Sequence, residues 1–343
     1  MGCFSLGLRL SFGHRLNSQP ITWIITVNYR TANLVIESLR ALALQKAALG
    51  GGRVVVVDNN SADGSYEKIS SAVHSENWAS WVDIIPMSRN GGFAFGNNAG
   101  FSQALSSPDN VDYLLLLNPD CLVRQGAIEK LVAFMNQHPN VGIAGSRLEN
   151  QDGGTECSAH TFHSPLSELL EGARFGLLTR LLYKYEVTPP LRDKSHVCDW
   201  VSGSSMLIRR KVIEDVGPMD EGYFLYFEEV DFFIRAAQKD WQTWYVPEAI
   251  VMHIEGAATG IKSTKRRPEY WYNSRRRYFV KHYGVSALIL ADLLWCLGRV
   301  TFFVRRFLKL GAQGELSDPK HYSFDLLWGD FKAILTGQAW KIH

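Results

Sequence analysis

Short apolar runs that end abruptly in polar residues constrain this chain most. Residues 21–29 (ITWIITVNY), 53–58 (RVVVVD) and 113–117 (YLLLL) are almost free of polar alternation. Such runs read as parallel strands covered on both faces. Residues 81–87 and 141–144 read as further strands. Helical periodicity falls near 31–45, 96–105 and 125–138, and the polar cluster after Asp58 caps a short helix. Strands alternating with helices predict an α/β, doubly wound, mostly parallel sheet. Ligands of such sheets gather beyond the carboxyl ends of the strands. Here those ends carry Asn28-Tyr29, Asp58-Asn59-Asn60 and Asn118-Pro119-Asp120.

A chain of 343 residues, 46% hydrophobic and 20% charged, suits one large domain with an appendage. The net charge of +2 hides a local excess: residues 262–281 hold eight Lys or Arg and a single Glu. Five scattered cysteines without a CxxC pair predict reduced thiols in a cytosolic setting, and neither a disulfide framework nor a zinc site. Residues 1–19 interleave Arg9, His14 and Arg15 with apolar residues, so no signal-peptide core forms and a disordered leader is expected. Leu6 stands where an N-myristoylation signal needs Ser or Thr.

In residues 224–235 (FLYFEEVDFFIR) three carboxylates, Glu228, Glu229 and Asp231, sit in an otherwise apolar and aromatic run. Val230, Phe233, Ile234 and Ala237 follow the spacing of a buried helix face, which puts the acids in a first turn. Acids there complement the helix dipole, and Asp231 can pair with Arg235 one turn on. Crowded by Tyr226, Phe227 and Phe232, a carboxyl instead has its pKa raised, as general-base chemistry requires.

Residues 90–100 (NGGFAFGNNAG) join a strand to a helix with four glycines and three asparagines. Glycines let backbone approach a ligand, although a tight turn uses the same residues. LLNPD at 116–120 puts Asp120 at a strand end. One carboxylate is enough for Mg²⁺ or Mn²⁺ when phosphates complete the shell, but Asn-Pro-Asp is also good turn chemistry. His253 lies in a strand, in VMHIEG at 251–256. Residues 201–208 form a small-residue loop feeding a strand, and residues 147–200 carry few signals.

Taken together and in this order, VNY, VDNNSADGS, NGGFAFGNNAG, LLNPD, GSSMLIRR, FEEVDFFIR and VMHIEG resemble the family 2 glycosyltransferases, particularly their rhamnosyltransferase-like branch. The resemblance spans residues 20–283. It implies a GT-A fold: a Rossmann-like, mostly parallel mixed sheet flanked by helices. It implies inverting transfer of a sugar, rhamnose among the candidates, from a dTDP- or UDP-sugar to a glycan or lipid-linked acceptor of surface polysaccharide. Asn28, Tyr29, Asp58 and Asn60 would then meet the nucleoside, with Asn90, Gly92 and Asn97 closing over it. Asn118 and Asp120 would occupy the DxD position, with Asp120 and His253 holding Mg²⁺ or Mn²⁺ on the diphosphate. Gly203, Ser204 and Ser205 would line the acceptor side. Glu229 would be the base, within the acidic trio Glu228, Glu229 and Asp231. Two positions depart from the family pattern, Asn118 for the first Asp of DxD and Glu229 for Asp. A nucleotide-sugar or glycan-binding protein without transfer activity, or a transferase using a hexosamine donor, is the competing reading.

Residues 284–343 read as a helical C-terminal tail. Asp292, Arg299 and Arg306 recur every seven residues and share one face, opposite Leu290, Leu293, Leu297, Phe303 and Phe307. A spanning helix does not welcome central charges, so an in-plane amphipathic helix is expected, peripheral on the inner face of the cell membrane. A helix packed on the domain, or at a homodimer seam, has the same pattern. The basic, aromatic stretch before it suits the donor diphosphate or anionic lipid. No RRM, KH or OB signature supports nucleic acid.

Overall fold

A computed structural model describes residues 19–254, 265–310 and 318–342. The expected leader, apart from Gln19, therefore lies outside the described residues, as do Lys262 and the Glu255-Gly256 end of the histidine motif.

The expected sheet is present, and it is mixed. Strands β1 (Thr22–Asn28), β2 (Val54–Asp58), β3 (Val82–Pro86) and β4 (Tyr113–Leu117) pair in parallel in the order β3-β2-β1-β4. Beyond β4 the sheet continues through β5 (Cys121–Val123), β6 (Val141–Glu149), β11 (Ser205–Arg209) and β12 (Gln242–His253), in the order β4-β11-β6-β12-β5. β11 runs antiparallel to both neighbours, β12 is parallel to β6, and β5 is antiparallel to β12. β12, the strand that carries His253, has an irregularity in its pairing to β6 between Val246 and Ile250.

Period-two alternation divides the core between the two faces of the sheet. Ile24, Val54, Val56 and Leu115 meet helices α1 (Ala32–Ala43) and α4 (Ala127–Gln137). Trp23, Ile25, Val55, Val57 and Leu116 meet α3 (Gly92–Ser106) and α8 (Glu228–Ala237), through Phe101, Phe232 and Phe233. Helix α2 (Ser65–Ser75) lies between β2 and β3 in the chain, and α7 (Arg210–Val216) follows β11. α3 lies close on β1 because it lacks side chains there. A Cβ on Gly96 would stand 2.6 Å from Val27, and one on Gly100 would stand 2.6 Å from Ile25.

The middle stretch is more ordered than its weak signals suggest. It contains β7 (Thr155–Glu156), β8 (Ala159–His160), α5 (Pro165–Ala173), α6 (Gly176–Leu181), β9 (His196–Cys198) and β10 (Trp200–Val201). α5 is announced locally by Ser164-Pro165: Ser164 caps the helix in a reciprocal pair with Ser167 and Pro165 opens it.

Three helices end the described chain: α9 (Glu269–Tyr283), α10 (Val285–Phe307) and α11 (Tyr322–Leu335). α10 packs along α5, where Gly172 and Gly298 let the two backbones touch. Leu288 and Ala291 join Tyr223, Phe227, Tyr278 and Phe279 in a third core beside α8. At its centre Arg275, 1% exposed, meets Glu168 at 3.1 Å and Asp292 and Asp330 at 3.0 Å each. The α9 part of the basic run expected to face diphosphate or lipid is tied inside in this way, whereas Lys265 and Arg266 before it are exposed. Arg276 pairs with Asp330, Arg277 and Lys281 with Asp220, and Arg266 with Asp325.

Candidate active site

A cleft of about 560 Å³ opens at the carboxyl ends of the central strands. Sheet register assembles one side of it. β11 runs against β4 with Ser205 opposite Leu117, so the loop before β11 lies beside the turn after β4. There the Asn118 amide donates to the Ser204 carbonyl at 3.0 Å, and Asn118 Nδ2 donates to Ser204 Oγ at 3.3 Å. β5 pairs with β12 so that His253 faces Cys121, which sets His253 Nε2 3.6 Å from Asp120 Oδ1. β7 continues the same edge and carries Glu156, whose Oε2 lies 3.5 Å from His253 Nδ1.

The opposite side is built by α8 and α3. Tyr226 and Phe227, just before the acids, both adopt left-handed backbone, with φ of 70° and 67°. Consecutive side-chain-bearing residues in that region store strain, which persists where the surroundings over-determine it. Gly92 (φ 90°) is required where it is: a Cβ there would lie 2.0 Å from the Phe224 carbonyl, to which the Phe93 amide donates at 2.9 Å. The start of α3 thus clasps the loop that aims α8. Asn90 Oδ1 accepts from the Gly92 amide and from Asn59 Nδ2, both at 3.0 Å.

Glu228 and Glu229 line this wall, and each keeps one buried carboxylate oxygen without a hydrogen-bond partner among the described residues. Desolvation raises both carboxyls, Glu228 well above the usual range with the Glu229 charge adding to it. Glu229 faces the Gly203 loop: a Cβ on Gly203 would sit 3.7 Å from its Oε1. Asp231 is a different kind of acid. It is fully buried, 2.8 Å from both Arg235 and His282 and 2.6 Å from Lys281. Burial pushes its carboxyl up, but these partners outweigh burial and hold it below the usual range.

Of the residues singled out in the sequence, Tyr29, Asn90, Gly92, Asn118, Asp120, Gly203, Ser204, Glu228, Glu229 and His253 line the cleft. Asn28, Asp58, Asn60, Asn97, Ser205 and Asp231 do not. Asn28 Nδ2 donates to Asp58 Oδ1 at 2.6 Å, and Ser61 Oγ donates to the same oxygen at 2.6 Å, so these residues brace the strand ends from beneath. Asn60 is exposed, Asn97 Nδ2 donates to the Phe93 carbonyl within α3, and Ser205 pairs with Ser146. Sequence reasoning passed over Glu156. It named Asn59 at a strand end and Tyr226 beside the acids, but assigned neither them nor Phe224 and Tyr270, which complete the aromatic group at the rim, to the site. The aromatics have a signal, since each lies in a run dense in aromatic residues. Glu156 has none, because only the strand pairing brings it to His253.

The donors fit a small divalent cation. The ligand atoms of Asp120, Cys121 and His253 lie within 4.8 Å of one another. Cys121 is a poor member: burial, and Asp120 after it, keep its thiol protonated well into the alkaline range, and it donates to the Ser204 carbonyl. Asn118 Oδ1, buried and without a hydrogen-bond partner among the described residues, is a better oxygen donor. One carboxylate, one imidazole and one amide oxygen suit Mg²⁺ or Mn²⁺ when a ligand supplies the remaining oxygens. A second depression of about 400 Å³, at the amino ends of β1 and β4 beside Asp112 and Arg209, lacks any such group of donors.

Comparison with known proteins identifies relatives of the chain. The chain is 28% identical over 218 residues to the N-acetylglucosaminyl-diphospho-decaprenol L-rhamnosyltransferase of Mycobacterium tuberculosis, covering 60% of this chain and 68% of that one. It is 31% identical over 219 residues to the low-salt glycan biosynthesis hexosyltransferase Agl10 of Haloferax volcanii, covering 63% and 62%. Among solved structures, GalNAc-T7 with UDP, GalNAc and Mn²⁺ superposes with a TM-score of 0.55 at 14% identity, covering 94% of this chain and 57% of that one. That likeness shares the GT-A fold. Residues 23–217, more than half of the chain, match the sequence profile of glycosyl transferase family 2, and the chain belongs to that family.

Proposed function

We propose that this glycosyltransferase moves a sugar, with inversion, from a nucleoside diphosphate to a hydroxyl of a lipid-linked glycan. One observation carries the proposal. Two adjacent acids with raised pKa and unpartnered oxygens face the Asp120–His253 pair across one cleft. Transfer needs both sides: a base for the acceptor hydroxyl, and neutralisation of the departing diphosphate.

In this reading Glu229 takes the acceptor proton. The acceptor oxygen forms its bond to the anomeric carbon from the face opposite the diphosphate, while the carbon–oxygen bond to the diphosphate breaks. Desolvation keeps Glu229 basic, its charge adds to the raised carboxyl of Glu228 beside it, and Gly203 and Ser204 leave room for the acceptor. Asp231 fixes the pitch of α8 and does not touch substrate. Tyr29, Asn90 and Gly92 bound the nucleoside end, with Asn28, Asp58 and Asn60 setting the shape of its floor and Asn97 that of α3. A divalent ion held by Asp120, His253 and Asn118 supplies the charge that the departing diphosphate needs, and Glu156 orients His253.

The M. tuberculosis relative, named an N-acetylglucosaminyl-diphospho-decaprenol L-rhamnosyltransferase, supports rhamnose as the sugar and a lipid-linked glycan as the acceptor. The donor in this reading is a dTDP- or UDP-sugar, and the place of work is the inner face of the membrane. Chemistry is assigned to residues 20–283 and membrane attachment to residues 284–343. Thermal unfolding with dTDP-rhamnose, UDP-N-acetylglucosamine and GDP-mannose, with Mn²⁺ or EDTA, tests the reading. A ligand at a hundred times its Kd stabilises the folded state by about 2.7 kcal/mol. One donor should raise Tm only with metal present. No shift with any donor, or shifts indifferent to EDTA, contradict the reading.

A further inference from the structure

Asp292 and Arg299 of α10 are turned into the protein together with Arg305, whereas Arg306, expected on the same face, is exposed. Asp292 bonds Arg275, Arg299 pairs with Asp318 at 2.6 Å, and Arg305 donates to the Ala173 carbonyl at 3.0 Å. What α10 leaves outside is apolar apart from Arg306: Leu290, Leu293, Leu297, Val300, Phe303 and Phe307 are all exposed. α11 packs beside it through Trp295, Tyr322 and Leu326 and exposes a stripe of its own: Phe324, Trp328, Phe331 and Leu335. α6, far away in sequence, joins them at the far end of α10. Arg305 lies over the Phe175 ring, Arg174 pairs with Asp318, and Leu177 and Leu181 are 67% and 77% exposed.

Apolar surface on this scale, contiguous across two neighbouring helices, calls for a covering partner. Charge says which. The acids of α10 and α11, Asp292, Asp325 and Asp330, are all held in ion pairs to α9 or the segment before it. Around the apolar side chains stand exposed cations: Arg180, Lys184, Lys309, Lys332 and Lys341. Apolar residues fringed by cations match the interface of an anionic bilayer. α10 is long and apolar enough to cross a membrane, with 23 residues and a mean hydropathy of 1.9. Its inner side, however, is locked to α5 and to ion pairs, so it lies flat.

We propose that α6, α10 and α11 form one face that docks in the plane of an anionic membrane. This rests on the reading of a membrane-held acceptor and names the surface that brings the enzyme to it. Flotation of the full chain with phosphatidylcholine vesicles, with and without phosphatidylglycerol, tests it. The chain should float with the anionic vesicles, and salt should release only part of it. Leu293→Glu with Leu297→Glu should lower partitioning about tenfold or more. Leu177→Glu with Leu181→Glu, on the distant segment, should lower it too, and Leu44→Glu, on another exposed turn, should not. All variants should keep nucleotide-dependent thermal stabilisation. Absence of flotation, or flotation indifferent to both pairs, overturns the proposal. So does a solution dimer that the same pairs dissociate while vesicles bind nothing, since a second copy then covers the face. Transfer to short- and long-prenyl acceptors is read separately: equal rates with flotation intact would overturn the lipid-linked acceptor and leave the docking face standing.

Discussion

On α8, Glu228 and Glu229 each keep a carboxylate oxygen without a partner among the described residues at the edge of a cleft, whereas Glu168, Asp292 and Asp330 converge on one arginine in the dry contact of α5, α9, α10 and α11. Glu228, Glu168 and Asp330 are buried and Glu229 and Asp292 half-buried, and both groups contain a carboxyl raised by desolvation. They differ in what surrounds them. In the second, Arg275 and Arg276 oppose three acids, so one negative charge is left over, and burial pushes Asp292 up to about 7. In the first, no cation among the described residues lines the cleft wall beside the acids. Acids satisfied by partners hold elements together; acids kept apart from partners are available to a substrate. Asp231 makes the same contrast within one helix, two residues from Glu229 and wholly engaged by Arg235, His282 and Lys281.

Removing the hub of the structural group should have the largest effect on stability. Arg275→Met leaves three acids buried without their shared cation, and breaking a buried ion pair in this way costs about 3–5 kcal/mol. Denaturant unfolding should show the loss, and stability near wild type would mean that the acids find water or protons instead.

At the site, Glu156→Gln should weaken Mn²⁺ binding by about 10–100-fold, the usual cost of losing the group that orients a metal-binding histidine. Direct titration with Mn²⁺ reads this without turnover. Unchanged affinity would place Glu156 outside the site.

The smallest effect distinguishes the leftover charge from the paired ones. The Asp292 pKa is raised in the folded state, so the folded chain holds a proton that the unfolded chain releases near pH 4. Stability is therefore undiminished below about pH 4 and falls as pH rises through about 7. Asp292→Asn should stabilise the chain by roughly 2 kcal/mol at pH 8 and leave it almost unchanged at pH 4. A uniform loss across pH would show that Asp292 acts only as the ionised partner of Arg275.

The division between the two groups was only half legible in the sequence. Apolar runs ending in polar residues placed β1, β2 and β4 and the site at their carboxyl ends, because a strand buried on both faces leaves a local signature. The acids of α8 were legible as a first turn against aromatics. Their separate fates were not, since Lys281 and His282 reach Asp231 from about fifty residues away. Heptad spacing put Asp292, Arg299 and Arg306 on one face of α10, but Arg306 is exposed and Arg305 takes the inward place. Which way that face turns depends on Arg275, Asp318 and Ala173, distant in sequence or across a break in the helices. Gly96 and Gly100 read as approach to a ligand, yet their contacts are with Val27 and Ile25 of β1.

The central claim is that Glu229, kept without a partner, is the group that takes the acceptor proton. Glu229→Gln preserves shape and removes the base, so single-turnover transfer compared with the parent chain tests it most directly. The account predicts a rate lower by about 10²–10⁴-fold, with donor-dependent thermal stabilisation retained. In the parent chain the acid limb of kcat/KM should lie above the ordinary carboxylate range, because desolvation raises the pair. Transfer by Glu229→Gln at near the parent rate, with that acid limb unchanged, would contradict it.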